Sequence, residues 1–518
     1  MKLLEWIGGS GTGRSVAVSR IAPRFDPEIT RPQTGAMMPG GIEAGALGRR
    51  LASFVPASYH VNTLIAASGS TVNARARYLV RNNGYAMAAV ESFAGNAVGA
   101  GIKPSSLVKD AALKESIQAA WLRWTDESDA EGLTDFYGQL RRAARELFIA
   151  GEVFIRFRPR RPSDGLSVPL QLQMLPSEQL SMTLSQPVGN GNVIRQGIEF
   201  NAIGQRVAYW FWRNHPGDIT ERSFSGGVPV RVPASEVLHI LDPVEGGQLR
   251  GLSRLAPAIV KLWLLDLYDD AELDRKKVAA LFAGFVTRPD GDGSMMGEGA
   301  PDAAGTTVAG LQPGTMQVLL PGEDVKFSSP ADVGGNYEAF QYRTLLAVCA
   351  ALGVPYQNVV DSNKANYSSS RTALLEFRRR IDAVQHSVLV FQLCRPVWER
   401  WLATAVLAGT LDLPGFSRDP APYLAARWIP PKWEWVDPLK DIKAEMEAVA
   451  AGFKARSDVV EAMGYDPEEV DARIAADRER ERRLGLSFVV GSAAKSVVFD
   501  DAGQSESGAP AAPDHANG

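Results

Sequence analysis

The most chemically suggestive residues lie near the N-terminus, where GGSGTGRS (8–15) matches a phosphate-binding loop except that Arg14 stands where Lys is required. Such a loop needs a strand feeding a glycine-rich turn, then a helix whose N-terminal amides cradle the phosphates. Only seven residues precede Gly8, and Pro23 soon interrupts the stretch after Ser15, so neither flank has room. The expectation is an irregular arm. Asp290-Gly-Asp292-Gly resembles the opening of a calcium loop, but the twelfth position, which must be acidic, is Pro301. The histidines at 60, 215, 239, 386 and 515 have no ligand-pair spacing. No G-x-S-x-G elbow anchors a hydrolase triad. The acids between Asp266 and Asp274 run straight into Arg275, Lys276 and Lys277, the pattern of a solvated, ion-paired helix face. Cys349 and Cys394 build neither a disulfide framework nor a zinc knuckle, and Cys394 falls on an apolar stripe. No cofactor or metal is expected, and catalysis has no foothold.

The elements that would position any site fall into successive regimes. Residues 1–57 read as an irregular arm. STVNARARYLVRNN, GYAMAAVESFAGNAVG and ALKESIQAAWLRWTDES each carry apolar residues at helical spacing, broken at Asn83-Gly84 and around Gly99–Gly101. A further helix covers about 134–150, capped by Thr134 or Asp135. Strand patterns come next, at 153–159, 170–176, 194–200 and 205–212. Helices then strands, without a βαβ repeat, indicate an α+β fold. From Ser253 to Phe285 the chain reads as one long helix, with Leu255, Ile259 and Leu262 on one face and Glu272 four residues before Lys276.

A Gly-, Asp- and Pro-rich stretch holds one hairpin-like piece, TMQVLLPGEDVKFSS, turned at Pro321-Gly322. Helix returns at 337–352, and a polar loop leads into the longest amphipathic helix. Its apolar stripe is Leu374, Phe377, Ile381, Val384, Val388, Phe391, Cys394, Trp398 and Trp401. Gln385 and His386 fall on its polar side, and Pro396 should kink or restart it. After a Trp- and Pro-rich crossing (428–435), charged helices close the fold. The last opens with Asp466 as cap, Pro467 in first position and Glu469 completing a capping box.

At 518 residues the chain is long enough for three to four domain-sized pieces. No apolar run is long enough to span a bilayer. A net charge of −4 argues against a tight grip on DNA phosphates, though not against DNA passing by.

Four stretches, in this order and at these separations, carry a resemblance: RNNGYAMAAVESFAGNAVGAGI (81–102), GIEFNAIGQRVAYWFWRNHPGD (197–218), HILDPVEGGQLRGLSRLAP (239–257) and SNKANYSSSRTALLEFRR (362–379). Together they resemble the portal proteins of tailed phages, in the branch that includes the lambda portal. The resemblance implies a portal fold with a mixed α/β wing, a helical stem, a clip with a short β-hairpin and a helical crown. It implies a homo-oligomeric ring, a dodecamer, at one capsid vertex. Double-stranded DNA would pass through it in packaging and ejection, and a terminase packaging motor, the major capsid protein and head-tail connector proteins would dock on it. The resemblance also implies location in the virion, and in host cytoplasm during assembly.

Laid onto the chain, the wing is 58–250, the first stem helix 252–285, the clip 286–335 and the second stem helix 337–352. A tunnel loop is 353–369, the long wing helix and crossing 370–438, the crown 439–485, and 486–518 a largely disordered tail. The DNA-facing residues implied are Asn358, Asp361, Ser362, Asn363, Lys364, Asn366 and Tyr367. The competing readings are a packaging ATPase, which the 8–15 stretch would serve, and a minor capsid interaction protein, which would form no channel.

Overall fold

The computed structural model describes residues 53, 56–218, 227–280, 284–287, 324–327, 337–361, 367–433 and 438–486. The chain divides into two units, Met1–Tyr59 and His60–Gly518, and every element below belongs to the second. The stretches 8–15 and 290–301, like the turn at Pro321-Gly322, lie outside the described residues.

Helices α1 (Val61–Asn82) and α2 (Gly84–Val98) meet at Asn83, which serves both. Its N–H closes α1 on the Leu79 carbonyl (2.7 Å), and its side chain accepts from Ala86 N–H (2.9 Å) to cap α2. Next come α3 (Ala111–Glu127) and α4 (Phe136–Ile149), and Asp135 caps α4 by accepting from Gly138 N–H at 2.7 Å. The buried face of α2 is largely alanine (Ala86, Ala89, Ala94, Ala97), which lets α4 pack closely against it.

The strands are β1 (Lys103–Ser106), β2 (Glu152–Pro159), β3 (Leu170–Leu175), β4 (Gln186–Pro187), β5 (Val193–Arg195), β6 (Ile198–Phe200), β7 (Arg206–Phe211), β8 (Val230–Pro233), β9 (Val237–Leu241), β10 (Gly284–Thr287), β11 (Asp324–Phe327) and β12 (Ala426–Ile429). One sheet runs β3-β2-β9 and another is the antiparallel meander β4-β5-β6-β7-β8. They share a small core of Phe154, Leu175, Tyr209, Phe211 and Val237. Instead of one strand at 194–200 there are two, joined by a tight turn. Gln196 and Gly197 both take positive φ (51° and 82°), the backbone that a two-residue hairpin requires. β1 pairs with β12 across the chain, Lys103 opposite Ile429.

The helix read from Ser253 is shorter than its pattern: α5 spans Ile259–Ala280. Residues 251–253 are irregular and 254–258 form turns, because Pro257 disfavours helical backbone at Ala256 and Gly251 is held by Glu152. Beyond α5 the chain gives a strand, not helix, and β10 pairs antiparallel with β11. α6 is Tyr337–Leu352.

The longest helix is continuous from α7 (Tyr367–Val384) through a π-helical segment, Gln385–Cys394, into α8 (Arg395–Leu407). Pro396 has no N–H for the Gln392 carbonyl and its ring crowds that turn, so the wider π turns ahead of it absorb the misfit and α register restarts at Arg395. Within and beyond these turns the expected stripe is buried at Val388, Cys394, Trp398 and Trp401 and departs at Phe391. Phe391 is 62% exposed, while Leu389, Val390 and Leu393 are buried, and Gln385 is buried rather than solvated. Trp398 and Trp401 pack with Trp121, Trp124 and Phe136 in one aromatic cluster, ring centroids 5.0–6.1 Å apart.

After the short α9 (Ala421–Leu424), the described residues close with α10 (Pro438–Ala450), α11 (Arg456–Ala462) and α12 (Pro467–Leu484), none of which has a buried residue. Ion pairs tie them to the body: Lys114 with Glu468, Arg427 with Glu461, Arg371 with Asp441. Asp466 caps α12 by accepting from Glu468 N–H. The capping box does not close, because Glu469 pairs with Arg473.

Candidate functional site

The loop expected to face DNA begins as a packed turn. Gly353 ends α6 with φ +69°, Val354 and Val359 are buried, and Tyr356 meets the Tyr342 ring edge-on at 5.2 Å. Asn358 is exposed and donates to Ser92 Oγ at 3.2 Å, which ties the turn to α2. Asp361 is exposed. Ser362, Asn363, Lys364 and Asn366 lie outside the described residues, and Tyr367 opens α7. The structure therefore brings Asn358 and Asp361 to one short segment held by α2 and α6.

Helices α5 and α6 both precede this loop in sequence, and α6 leads directly into it. Asp269 accepts from Tyr337 Oη (2.9 Å) and Gln341 Nε2 (3.3 Å), and Asn83 donates to Asp266 (2.6 Å). Burial and the Asp269 carboxylate push the Tyr337 hydroxyl up to about 12, and burial raises Asp266. Glu272 pairs with Arg275 (2.6 Å) rather than Lys276, whose ammonium lies 5.4 Å over the Tyr337 ring. The acidic run is thus an ion-paired, hydrogen-bonded face. Among the described residues no group of three His, Cys, Asp or Glu is placed to hold a metal.

On another side, α5 leaves Val260, Trp263, Leu264 and Leu267 each at least 44% exposed. Their i, i+3, i+4, i+7 spacing makes one continuous apolar stripe. Cys349 and Cys394 are both buried free thiols, pushed up by desolvation, Cys349 to about 11.

Sequence reasoning missed a charged knot at the centre of the sheet region. Arg250, Glu152 and the His239 side chain are essentially inaccessible. Arg250 Nη2 lies 2.7 Å from Glu152 Oε1, and the guanidinium also donates to the carbonyls of Gln196 (3.1 Å) and Ser177 (3.0 Å). Glu152 accepts in addition from Ser177 Oγ (2.6 Å), Gly251 N–H (2.7 Å) and His239 Nε2 (2.9 Å). Burial pushes Glu152 upward, but the Arg250 charge and the hydrogen bond from His239 outweigh it and hold the carboxyl well below its usual range. Burial lowers His239, and Arg206 Nη1 sits 3.3 Å from its Nδ1, so the ring is neutral with its proton on Nε2.

Gly151 and Gly251 make this close approach possible. A Cβ on Gly251 would stand 2.4 Å from the Gly151 carbonyl carbon, and one on Gly151 2.2 Å from the Leu252 oxygen. The available signals were an acid opening an apolar strand (GEVFIRF) and an arginine inside a glycine-rich turn (GGQLRGL).

The knot and the helix pair fall inside a segment, residues 47–385, that matches the family model described as phage portal protein, lambda family. This segment is more than half of the chain, and the chain belongs to that family. The probable portal protein of Halomonas phage phiHAP-1 is 27% identical over 441 residues, covering 82% of this chain and 83% of the relative. Portal protein B of Escherichia phage lambda is 23% identical over 486 residues, covering 85% and 89%. A chain from the neck of an empty gene transfer agent particle superposes with a TM-score of 0.44 at 15% identity, over 79% of this chain and 95% of that one. Among the described residues no helix is long and apolar enough to cross a membrane.

Proposed function

We propose that the chain is the subunit of a closed ring, a dodecamer, at one capsid vertex, and that double-stranded DNA moves through its centre during packaging and ejection. The observation that carries this reading is the bare apolar stripe of α5, Val260, Trp263, Leu264 and Leu267, in a lambda-family portal chain. Such a stripe on an isolated subunit calls for a partner. A second copy supplies one if the interface is heterologous and its rotation closes.

In this reading 58–250 is the wing, α5 and α6 form the stem, 286–335 the clip, 353–369 a loop facing the channel and 439–485 the crown. The terminase motor and head-tail connectors dock at the clip, and the major capsid protein surrounds the ring. The ring assembles in host cytoplasm and stays in the virion, with no catalytic step of its own. A near-neutral chain suits a conduit, because each salt-dependent phosphate contact adds a barrier to sliding. Electron microscopy of the purified chain tests the reading: rings with an open centre are expected, and solid or unclosed assemblies would refute it.

A further inference from the structure

Strand β2 turns one face toward two different environments. Phe154, at its start, is buried against Tyr209 and Phe211. The next positions on that face are Arg156 and Arg158, with Arg160 just past the strand end, and all three are half-buried. Side chains on one face of a strand repeat every roughly 6.6 Å, so Arg156, Arg158 and Arg160 leave the backbone in one row on that face. Gln173 and Gln171 stand opposite Arg156 and Arg158 on β3.

The row is short of partners. Glu236 is 3.7 Å from Arg156, beyond hydrogen-bond reach, and Arg156 Nε is a buried donor with no acceptor. Among the described residues no carboxylate is within ion-pair distance of Arg158, which burial and the like charges of Arg156 and Arg160 disfavour in its charged form. Arg160 Nε is satisfied by Gln171 Oε1 at 2.7 Å. Three guanidinium groups thus share one strand face with a single carboxylate, Glu236, within ion-pair distance among the described residues.

We propose that this row is a docking strip for an acidic, extended segment of a partner protein, whose alternate carboxylates pair with Arg156, Arg158 and Arg160. An extended chain presents alternate side chains on one face at the same repeat as the row. Planar guanidinium groups suit carboxylates geometrically. Glu236 lies beside Arg156 at one end of the strip. A DNA duplex lying across the strip would meet the Glu236 carboxylate, whereas a single extended peptide is narrow enough to run alongside it.

The test uses the full chain and fluorescence anisotropy with two labelled peptides of equal composition, one alternating Thr and Glu, the other with its Glu residues in a single block. The alternating peptide should bind more tightly. Arg158→Glu should weaken it by about tenfold or more, as expected for a lost charge-assisted pair, while Arg473→Glu on α12 leaves it unchanged. Arg158→Gln should give a smaller loss with an unshifted melting curve, which separates lost contact from misfolding. Equal affinity for both peptides, indifference to either Arg158 change, or displacement of the peptide by a short DNA duplex at lower concentration than by unlabelled peptide would overturn the proposal.

Discussion

Gln392 meets both backbone polar groups of Leu241: its Oε1 accepts from the Leu241 N–H and its Nε2 donates to the Leu241 carbonyl, each at 3.0 Å. Leu241 is the last residue of the edge strand β9, so a side-chain amide on the π segment does what a neighbouring strand would do. Gln392→Leu strands both groups and should cost about 1–3 kcal/mol in urea denaturation. Gln392→Glu keeps only the acceptor and should also destabilise. Wild-type midpoints for both variants would show the bridge to be idle.

Arg250 and Glu152 form a buried pair, and removing one partner from such a pair typically costs about 3–5 kcal/mol. Arg250→Met should therefore sharply reduce soluble yield and lower the melting temperature. Adding Glu152→Gln should recover part of the loss, because the uncompensated charge is gone. A double variant no better than the single would mean that shape, not charge, governs the site.

Acid should loosen the same knot in two steps. His239 and Glu152 are both held below their ordinary values in the folded chain. The unfolded chain therefore takes up their protons first, so their stabilisation is complete above about pH 6.5, declines below it through His239, and falls again below about pH 4.3 through Glu152. His239→Gln keeps a donor for Glu152 and an acceptor for Arg206 but cannot titrate. Its melting temperature should fall less than that of the wild type between pH 7 and pH 5. Parallel slopes would exclude His239 as the source.

The long helix separates what was legible from what was not. Leu374 through Val384 obeys a 3.6-residue period, and Phe377, Ile381 and Val384 are buried as that period requires. The π turns ahead of Pro396 alter the spacing locally, which no residue pattern announces, and Phe391 faces outward there; Gln385, four residues after buried Ile381, lies on the inward face that the ordinary helical period already gives. Hairpin β5–β6 was hidden because Gln196, a residue with no turn preference, takes positive φ. The charged knot joins β2, β9 and a turn near residue 250, a contact that local pattern does not encode. The family, by contrast, was carried by four segments that all overlap residues 47–385.

Trp398→Ala, in the aromatic cluster, should cost about 3–5 kcal/mol. Gln385→Ala should also destabilise, because its Nε2 donates to the Ala97 carbonyl at 2.9 Å. Phe391→Ala should be nearly silent in the same denaturation series. Equal losses at Phe391 and Trp398 would mean that Phe391 belongs to the packed face.

Lys364 is the only cation in 353–369, so a ring would repeat it at one level of the channel. Lys364→Ala should leave assembly intact but reduce packaged DNA, and Lys364→Glu should be worse, since repulsion is added to lost attraction. Complementation scored by plaque yield and packaged genome length checks both. Wild-type values would remove Lys364 from the DNA path.

Native mass spectrometry of the purified chain, beside Leu264→Glu, tests the ring most directly. The wild type should appear at a closed multiple of 55.9 kDa, twelve copies or a neighbouring ring size, and Leu264→Glu should shift toward monomer because a charge is set in the bare stripe of α5. A wild-type chain that stays at 55.9 kDa at micromolar concentration, or a Leu264→Glu variant that assembles as the wild type does, would contradict the account.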